Sequence, residues 1–586
     1  MSAYRLQLAQ TQEEFKEEYE GLKKQLADEI SDCTEVRVSY RNKAEQFMAE
    51  NAIWSLADIT YETRCSYENY LKMQMSVNLA KQYLSEFDRL KLHFLEQQAQ
   101  TLAGRQKIYK YHNQQLFLLY HPNPEIGKAF KWTPNKESLV WDFERKASEV
   151  LKRQMFKILH REIEQNQHKG GNRARLETLK KFYDYCVDAG VEDIEYLEME
   201  QISEFYGRLE SAGKAALKRG REIVEASRKI LFIEADEINW KANVWYLERF
   251  HFESTRVNPS NPVVSLSFIE ILQEKNRQLM QEYMKYCLGT TNLSISVIRA
   301  EASILRRFLV KMREYTEESI CSVTTAEMGY YFSYLEQQKI QPETYNKMIK
   351  SILHFFDYLK VRGFIEQVPF QEQYFLKKTV VKHHDRSVTH QVYVEIMQKL
   401  GSFPEDLRLM FLHQWAIGLR ASEVCTLKGN AYYLQGRDAW IQVYQIKMKN
   451  YKRIPIPAVL YQLMKIYIGK YQIAPEEYVF KSTTGGAYRY GTYKYRMHKY
   501  CEKNDIDNGE YLFQSHDYRH TLATFFYNQG VSIQGVRDYL GHTYEEMTEQ
   551  YIDFMPRKIR KANEEYFKDG KNSLAAGIKK RSRHGK

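Results

Sequence analysis

Apolar residues recur at steps of three and four along most of the first 375 residues, and this is the spacing of one face of an α-helix. One such series is formed by Phe15, Tyr19, Leu22 and Leu26. The spacing does not keep a strict heptad for long, which disfavours a continuous coiled coil. We therefore expect an array of amphipathic helices in this part of the chain.

Three stretches of this helical region repeat the same order of elements. They are residues 35–95, 173–252 and 293–364. In each stretch, a first helix leads through a short segment to a second helix that ends in Tyr-x-x-Leu-like residues, and a third helix carries paired aromatic residues. A fixed order of helices repeated along a chain indicates tandem modules. The predicted modules are 1–110, 111–270 and 271–370.

The pattern changes after the third module. Residues 371–390 mix basic and β-branched residues without a helical period, which predicts an extended linker between two domains. From Gln391 onward, helices alternate with a predicted strand pair at 439–457. The alternating residues of its first strand are Ile441, Val443 and Gln445 on one side and Trp440, Gln442 and Tyr444 on the other. The expected fold is mostly α, with a small β-sheet in a C-terminal domain, 391–567, that precedes a basic tail, 568–586.

Positive charge is concentrated toward the C-terminus, although the formal net charge of the whole chain is only +11. Residues 1–376 carry 52 basic and 54 acidic side chains, residues 377–556 carry 23 and 18, and residues 557–586 carry 11 and 3. Lys and Arg displace counterions from phosphates, so this gradient is compatible with nucleic-acid binding. A basic tail is equally often a solvated segment, and charge alone leaves both interpretations open.

The cysteines and the apolar runs indicate a cytoplasmic protein. The chain has 7 cysteines, and no two form a CxxC pair, which disfavours zinc ribbons and a disulfide framework. No apolar run approaches the roughly 18 residues that a membrane span needs. The N-terminal residues lack the basic-then-apolar layout of a signal peptide. We expect reduced thiols and no membrane partner.

Four short segments of the C-terminal third contain residue types that can carry chemistry. They are AIGLRASEVCTL with Arg420 and Glu423, the hairpin with Lys447, SHDYRHTLATFFYNQG with His516 and Arg519, and YLGHTYEEMTEQYIDF with His542 and Tyr551. Ser532 is a predicted N-cap, and Gly541 a predicted C-cap, of the helix that precedes the last segment. Each segment is weak by itself, because an arginine at a helix start is usually a surface ion pair and a cluster of lysines is usually a solvated hairpin.

The order and spacing of these segments resemble a known family. GLRASE, HDYRHTLAT and LGH-x8-Y are similar to the three sequence boxes of the tyrosine recombinase, or phage integrase, family. The resemblance covers about residues 375–570, extends more loosely to 293–364 and leaves 1–290 outside it. It implies a helical core-binding domain at 271–370 and a catalytic domain at 391–567, with core-binding-like modules before them. One departure is Tyr518, where the family usually has a small aliphatic residue, and we expect it to alter only the packing behind its helix.

The resemblance implies a catalytic set with one nucleophile. The activating residues are Arg420, Lys447, His516, Arg519 and His542, and the nucleophile is Tyr551. Two guanidinium groups offer paired donors to the non-bridging oxygens of a phosphodiester, which offsets the charge of the transition state without a metal. Nearby guanidinium groups also lower the pKa of a tyrosine and favour attack by its phenolate.

Two assignments within this set stay open. Lys447 is placed by counting back from Pro455 and is expected to protonate the leaving 5′ oxygen as a general acid, with Lys449 as the alternative. Glu423 resembles the acidic residue that braces the family's site. It is equally compatible with a helix-start ion pair that has no part in catalysis.

The expected function is site-specific DNA recombination by an integrase or transposase of a mobile element. Strands would be cut and rejoined through a 3′-phosphotyrosine intermediate, with no metal, cofactor or ATP. The implied partners are double-stranded DNA and three further copies of the chain, or sister recombinases, and no small-molecule substrate is expected. The alternatives are a type IB topoisomerase, a catalytically inactive DNA-binding accessory protein, and a helical scaffold with coincidental motifs.

Overall fold

A computed structural model describes residues 2–110, 114–133, 135–166, 172–379 and 387–541. The chain divides into two compact units. The first comprises Met1–Arg249 with Ser267–Leu272, and the second comprises Phe250–Leu266 with the chain from Gln273 onward. Among the described residues, no helix combines the length and the apolar character that crossing a bilayer requires.

The first unit is built mainly of helices. They are α1 (Ser2–Ser31), α2 (Val38–Glu50), α3 (Tyr61–Gln74), α4 (Val77–Gln100), α5 (Leu102–Ile108), α6 (Pro124–Ala129), α7 (Glu149–Asn166), α8 (Asn172–Asp188), α9 (Met199–Glu210) and α10 (Lys214–Ile233). Short strands β1 (Gln115–Phe117) and β2 (Val140–Asp142) pair antiparallel. A third three-residue strand of this unit is β3 (Val244–Tyr246), and a fourth, β4 (Ser265–Ser267), includes the residue at which the chain returns to the first unit. These strands were not predicted, because three residues are too few to display a period of two.

A continuous apolar core fills the first unit. A buried cluster runs from Leu26 to Leu231 and includes Ile269. It extends across the predicted module boundary near residue 110, so that boundary stays a prediction. Arg64 and Asp88 form a buried ion pair in this unit. Arg64 Nε is 2.7 Å from Asp88 Oδ1, and the Tyr120 hydroxyl donates to the same oxygen at 2.6 Å. Three mutually satisfied polar groups can be buried there at little net loss, because each hydrogen bond replaces one to water.

The second unit begins with a four-helix module. Its helices are α11 (Glu274–Thr290), α12 (Ile295–Met312), α13 (Thr325–Gln337) and α14 (Pro342–Val361). The Arg256 guanidinium donates to the carbonyls of Cys287, Leu288 and Leu293, which caps the carboxyl end of α11. Arg256 belongs to the segment Phe250–Leu266, which precedes this module. In the same segment, the backbone carbonyl of Ser260 accepts from the backbone N–H of Tyr490 at 2.9 Å.

The rest of the described second unit combines helices with one sheet. The helices are α15 (His390–Lys399), α16 (Glu405–Ile417), α17 (Ala421–Cys425), α18 (Ala458–Lys470), α19 (Tyr490–Lys503), α20 (Ser515–Asn528) and α21 (Ile533–Leu540). The sheet has the antiparallel order β5 (Tyr432–Gln435), β6 (Asp438–Gln445), β7 (Asn450–Pro455). The predicted fold class, mostly α with a small sheet in the C-terminal part, is confirmed. Part of the predicted linker, 380–386, lies outside the described residues.

The hairpin of β6 and β7 follows the predicted alternation. Ile441, Val443 and Gln445 are buried and their neighbours are more exposed, so one face of β6 packs on the helices. Ile441 pairs with Ile454, and Gln445 pairs with Asn450 beside the turn. Because successive side chains of a strand point to opposite faces, every second residue of both strands faces the helices.

Candidate active site

The first element of the site is the turn between α16 and α17. Gly418 ends α16 with a φ of 62°, a left-handed conformation that glycine adopts without strain. Its carbonyl oxygen accepts from Arg519 Nη1 at 2.8 Å. Arg420 then precedes the first residue of α17 in an extended conformation. The turn therefore brings both predicted arginines to the same end of α17.

Glu423 holds Arg420 in place. The Arg420 guanidinium donates to Glu423 Oε1 at 2.8 Å, and the Arg420 backbone N–H donates to Oε2 at 3.0 Å. The Glu423 side chain is 1% exposed and that of Arg420 is 13% exposed, so this is not a solvated surface ion pair. The arrangement orients the guanidinium of Arg420, as a bracing residue would. A part for Glu423 in catalysis stays a prediction.

Arg519 is buried on α20 and reaches the end of another helix. Arg519 is 1% exposed. Because α20 packs against α16, Arg519 lies beside the turn at Gly418. Nη2 donates to the carbonyl oxygen of Leu540, the last residue of α21, at 2.6 Å. The guanidinium therefore joins two chain segments that are far apart in sequence, at the point from which the chain continues to His542.

Lys452 is a third cation of this cluster and is not among the residues predicted from the sequence. Its side chain on β7 is 5% exposed, and Nζ lies 3.6 Å from Glu423 Oε2 and 3.4 Å from the Leu540 carbonyl. Lys452 belongs to the buried series that continues with Ile454 and Ile456. A lysine at an inward position of an apolar alternation was the available signal, since such positions rarely hold an unpaired charge.

Charge and burial oppose each other in this cluster. Burial alone would raise the pKa of Glu423, but Lys452, Arg519 and Arg420 together lower it to about 2. Burial lowers the pKa of Lys452 to about 8, and the attraction of Glu423 only partly offsets it. Three cations face one carboxylate, so the cluster has an excess of positive charge that suits it to an anionic group such as a phosphodiester.

Gln445, the last residue of β6, also faces the cluster. Its Nε2 lies 3.3 Å from Glu423 Oε1, 3.4 Å from the Leu540 carbonyl and 3.2 Å from the Gly541 carbonyl. The helix that ends there has the predicted caps. Ser532 accepts from the backbone N–H of Gly535 at 3.1 Å, and Gly541 has a φ of 70°.

The other predicted site residues lie outside this buried cluster or outside the described residues. Lys447 is exposed in the turn that joins β6 to β7, outside the buried cluster. Nearby, Lys449 Nζ donates to the carbonyl of Asn292 at 3.2 Å. His516 is exposed in the first turn of α20, with its ring centroid 5.5 Å from that of His520. The predicted His542 and Tyr551 lie outside the described residues. The structure therefore brings together Arg420 and Arg519 and leaves the other assignments as predictions.

Tyr518 fills the core behind α20. Its hydroxyl lies 2.9 Å from the Tyr511 hydroxyl, and its ring meets Phe411 edge-on at a centroid distance of 5.0 Å. Its ring centroid also lies 5.6 Å from that of Phe513, within the apolar core of this part of the chain. The departure at this position therefore affects packing, as expected.

Comparison with known proteins agrees with this geometry. Residues 386–557 match the model of the phage integrase family. Transposase B of transposon Tn554 from Staphylococcus aureus is 27% identical over 339 residues, which cover 56% of this chain and 53% of the transposase. A tyrosine recombinase of Pseudothermotoga lettingae is 24% identical over 280 residues, covering 47% of this chain and 93% of that protein.

Similarity to a solved structure extends over about half of this chain. The Tn1549 transposon integrase in complex with transposon right end DNA is 17% identical, with a TM-score of 0.37, over 49% of this chain and 98% of that one. The chain spans about half the length of the Tn554 transposase that it matches. The C-terminal part of this chain, residues 386–557, is therefore similar to the phage integrase family of tyrosine recombinases, and Arg420 and Arg519 lie within the matched residues.

Proposed function

We propose that the chain is a site-specific DNA recombinase of a mobile element, an integrase or transposase that cuts and rejoins strands through a 3′-phosphotyrosine. The observation that carries the proposal is the buried cluster in which Arg420, Arg519 and Lys452 surround the carboxylate of Glu423. Such a cluster can bind a phosphodiester and offset the charge that grows on its oxygens in the transition state. The likeness to transposase B of Tn554 supports the mobile-element assignment.

The proposed chemistry uses residues of this chain alone. The Tyr551 phenolate attacks the phosphorus, the bond to the 5′ oxygen breaks, and that oxygen receives a proton from a lysine of the hairpin. The phosphotyrosine ester retains the bond energy, so that a 5′ hydroxyl of the partner strand can reseal the backbone without ATP. Arg420 and Arg519 would hold the non-bridging oxygens, with His516 and His542 adding hydrogen bonds.

The proposed partners follow from this chemistry. Double-stranded DNA is the substrate, and we propose that four protomers assemble on two sites, because two duplexes must each be cut on two strands. In a prokaryote, DNA binding would place the protein at the nucleoid. The basic segment 557–586, with 11 basic and 3 acidic residues, supplies sequence-independent affinity for phosphates.

Covalent capture on DNA tests the proposal. Nicked duplexes that carry the ends of the genetic element encoding the chain are incubated with the protein in EDTA and separated on a denaturing gel. We expect a DNA-linked protein band that is lost in Tyr551→Phe and retained in the matched control Tyr544→Phe. If the wild type binds these duplexes but forms no adduct, the proposed activity is wrong. Relaxation of any supercoiled plasmid, whatever its sequence, would instead indicate a topoisomerase.

A further inference from the structure

Gln445 is a buried polar residue at the end of an otherwise apolar series. The inward residues of β6 before it are Ala439, Ile441 and Val443, all buried. Gln445 itself is 2% exposed. Burying an amide without hydrogen bonds is unfavourable, so a glutamine at this position has to be matched by partners.

Its partners belong to two separate elements of the site. Nε2 faces Glu423 Oε1 at 3.3 Å and the carbonyls of Leu540 and Gly541 at 3.4 and 3.2 Å. The last carbonyls of a helix have no partner within the helix. Gln445 therefore supplies donors to the end of α21 and, with the same nitrogen, to the carboxylate that orients Arg420.

The fit at Gly541 is close. A Cβ atom at this position would lie 2.5 Å from Gln445 Nε2, so only glycine allows the backbone to approach the amide as it does. An amide also suits this place electrostatically. It donates two hydrogen bonds without adding charge to a buried set that already holds three cations and one carboxylate.

We propose that Gln445 is a positioning residue for strand cleavage, one that holds the carbonyl end of α21 against Glu423 and so fixes the point from which the chain runs to His542 and Tyr551. The inference rests on the proposed function. Gln445 acts through the backbone of α21 and does not touch DNA. Its removal would leave the arginine cluster in place but loosen the segment that leads to the nucleophile.

Three variants separate this role from a merely structural one. Gln445→Met keeps the length of the side chain and removes both donors, and Gln445→Glu replaces the donors with a second carboxylate facing Glu423. Gln442→Met is the matched control, because Gln442 lies on the same strand but faces the other side, where it accepts from Arg453 Nε at 2.8 Å. Thermal unfolding midpoints establish that each variant is folded.

The measurement is the rate of adduct formation on the nicked duplexes described above. We expect Gln445→Met to cleave about 10²-fold more slowly at saturating DNA, because a small misplacement of a reacting group has an effect of this size. The DNA concentration for half-maximal rate should change less than about twofold, and Gln445→Glu should be slower still. Gln442→Met should behave as the wild type. A wild-type rate for Gln445→Met, or a loss explained by weaker DNA binding, overturns the inference.

Hydrogen exchange provides a readout that does not depend on activity. Peptides covering Ile533–Gly541 should exchange faster in Gln445→Met than in the wild type or in Gln442→Met, because the end of α21 loses donors. Equal exchange in all three proteins would overturn the inference. If the wild type forms no adduct on any duplex, the proposed function fails, and the exchange result alone then decides whether Gln445 holds α21.

Discussion

Arg420 holds both carboxylate oxygens of Glu423, one through its guanidinium at 2.8 Å and the other through its own backbone N–H at 3.0 Å. The two bonds close a ring at the start of α17 and restrict the rotation of the arginine side chain. Because Glu423 is 1% exposed, water cannot replace either bond. The carboxylate is therefore the element that sets the orientation of Arg420 toward a bound phosphate.

We expect Glu423→Gln to destabilise the C-terminal part of the second unit in a pH-dependent way. The surrounding cations hold the pKa of Glu423 at about 2, below its ordinary value of 4.5. A lowered carboxyl pKa gives stability that is present above pH 4.5 and is lost as the pH falls toward 2. At pH 7 the variant should lose about 3 kcal/mol, and the difference should shrink steadily between pH 5 and 2.

The measurement is urea unfolding at several pH values, followed by fluorine NMR of 5-fluorotryptophan. Trp440 on β6 and Trp415 on α16 report on the relevant region. A difference between wild type and variant that does not change with pH would show that the ionised carboxylate is not the stabilising form.

Lys452→Met should separate stability from activity. Burial lowers the pKa of Lys452 from 10.5 to about 8. At neutral pH the lysine is still protonated, but the folded state holds this proton less tightly than the unfolded state does. Removing one partner of a buried ion pair is destabilising when the other is left unpaired, but Glu423 keeps Arg519 and Arg420 when Lys452 is replaced, and the desolvation of the lysine is relieved. We expect Lys452→Met to be at least as stable as the wild type at pH 7, yet slower in adduct formation.

The pH dependence of this comparison has a definite sign. Between pH 8 and 10.5, unfolded wild-type chains bind more protons at Lys452 than folded chains do, so wild-type stability rises with pH relative to Lys452→Met. Unfolding of both proteins at pH 7, 9 and 10.5 measures the difference. A variant that is strongly destabilised at pH 7 would instead indicate that Lys452 is mainly a structural partner of Glu423.

A substrate with a bridging sulfur distinguishes the two lysines of the hairpin. A 5′ thiolate can leave without taking up a proton, because the pKa of a thiol is about 8.5. The pKa of the corresponding 5′ alcohol is far higher, so the ordinary leaving oxygen needs a proton. If Lys447 is the general acid, Lys447→Ala should cleave the ordinary duplex slowly and the sulfur-containing duplex at nearly the wild-type rate. Lys452→Met should remain slow on both. If the sulfur-containing duplex restores cleavage by Lys452→Met but not by Lys447→Ala, the general acid is the buried Lys452.

The sequence was sufficient for the hairpin of β6 and β7, for the caps of α21 and for part of the site, but not for the three-residue strands. The alternation in β6 and the caps Ser532 and Gly541 follow from local rules of period and backbone conformation, and the structure has all of them. Arg420 and Arg519 were found because their motifs are local. Lys452 and Gln445 were not, because their roles depend on which strand face packs against Glu423 and the end of α21. Such contacts depend on tertiary structure. In addition, the other lysines of the hairpin favoured the interpretation that the whole basic group is exposed.

The close approach of Gln445 to Gly541 can be tested by Gly541→Ala, with Gly530→Ala as the control. Both glycines have a positive φ, 70° at Gly541 and 88° at Gly530, so an alanine at either position is strained by about 1–2 kcal/mol. A Cβ at Gly530 meets no atom within 4 Å, whereas one at Gly541 would lie 2.5 Å from Gln445 Nε2. We therefore expect Gly541→Ala to be the more destabilising by about 1–3 kcal/mol.

A double-mutant cycle isolates the contact. Combining Gly541→Ala with Gln445→Ala removes the clash but leaves the backbone strain, so the double variant should lose less stability than the sum of the two single losses. The same amide must move in Gly541→Ala, which should therefore slow adduct formation as Gln445→Met does, while Gly530→Ala should not. Additive losses of stability, with normal cleavage by Gly541→Ala, would show that the amide moves aside freely and holds nothing in place.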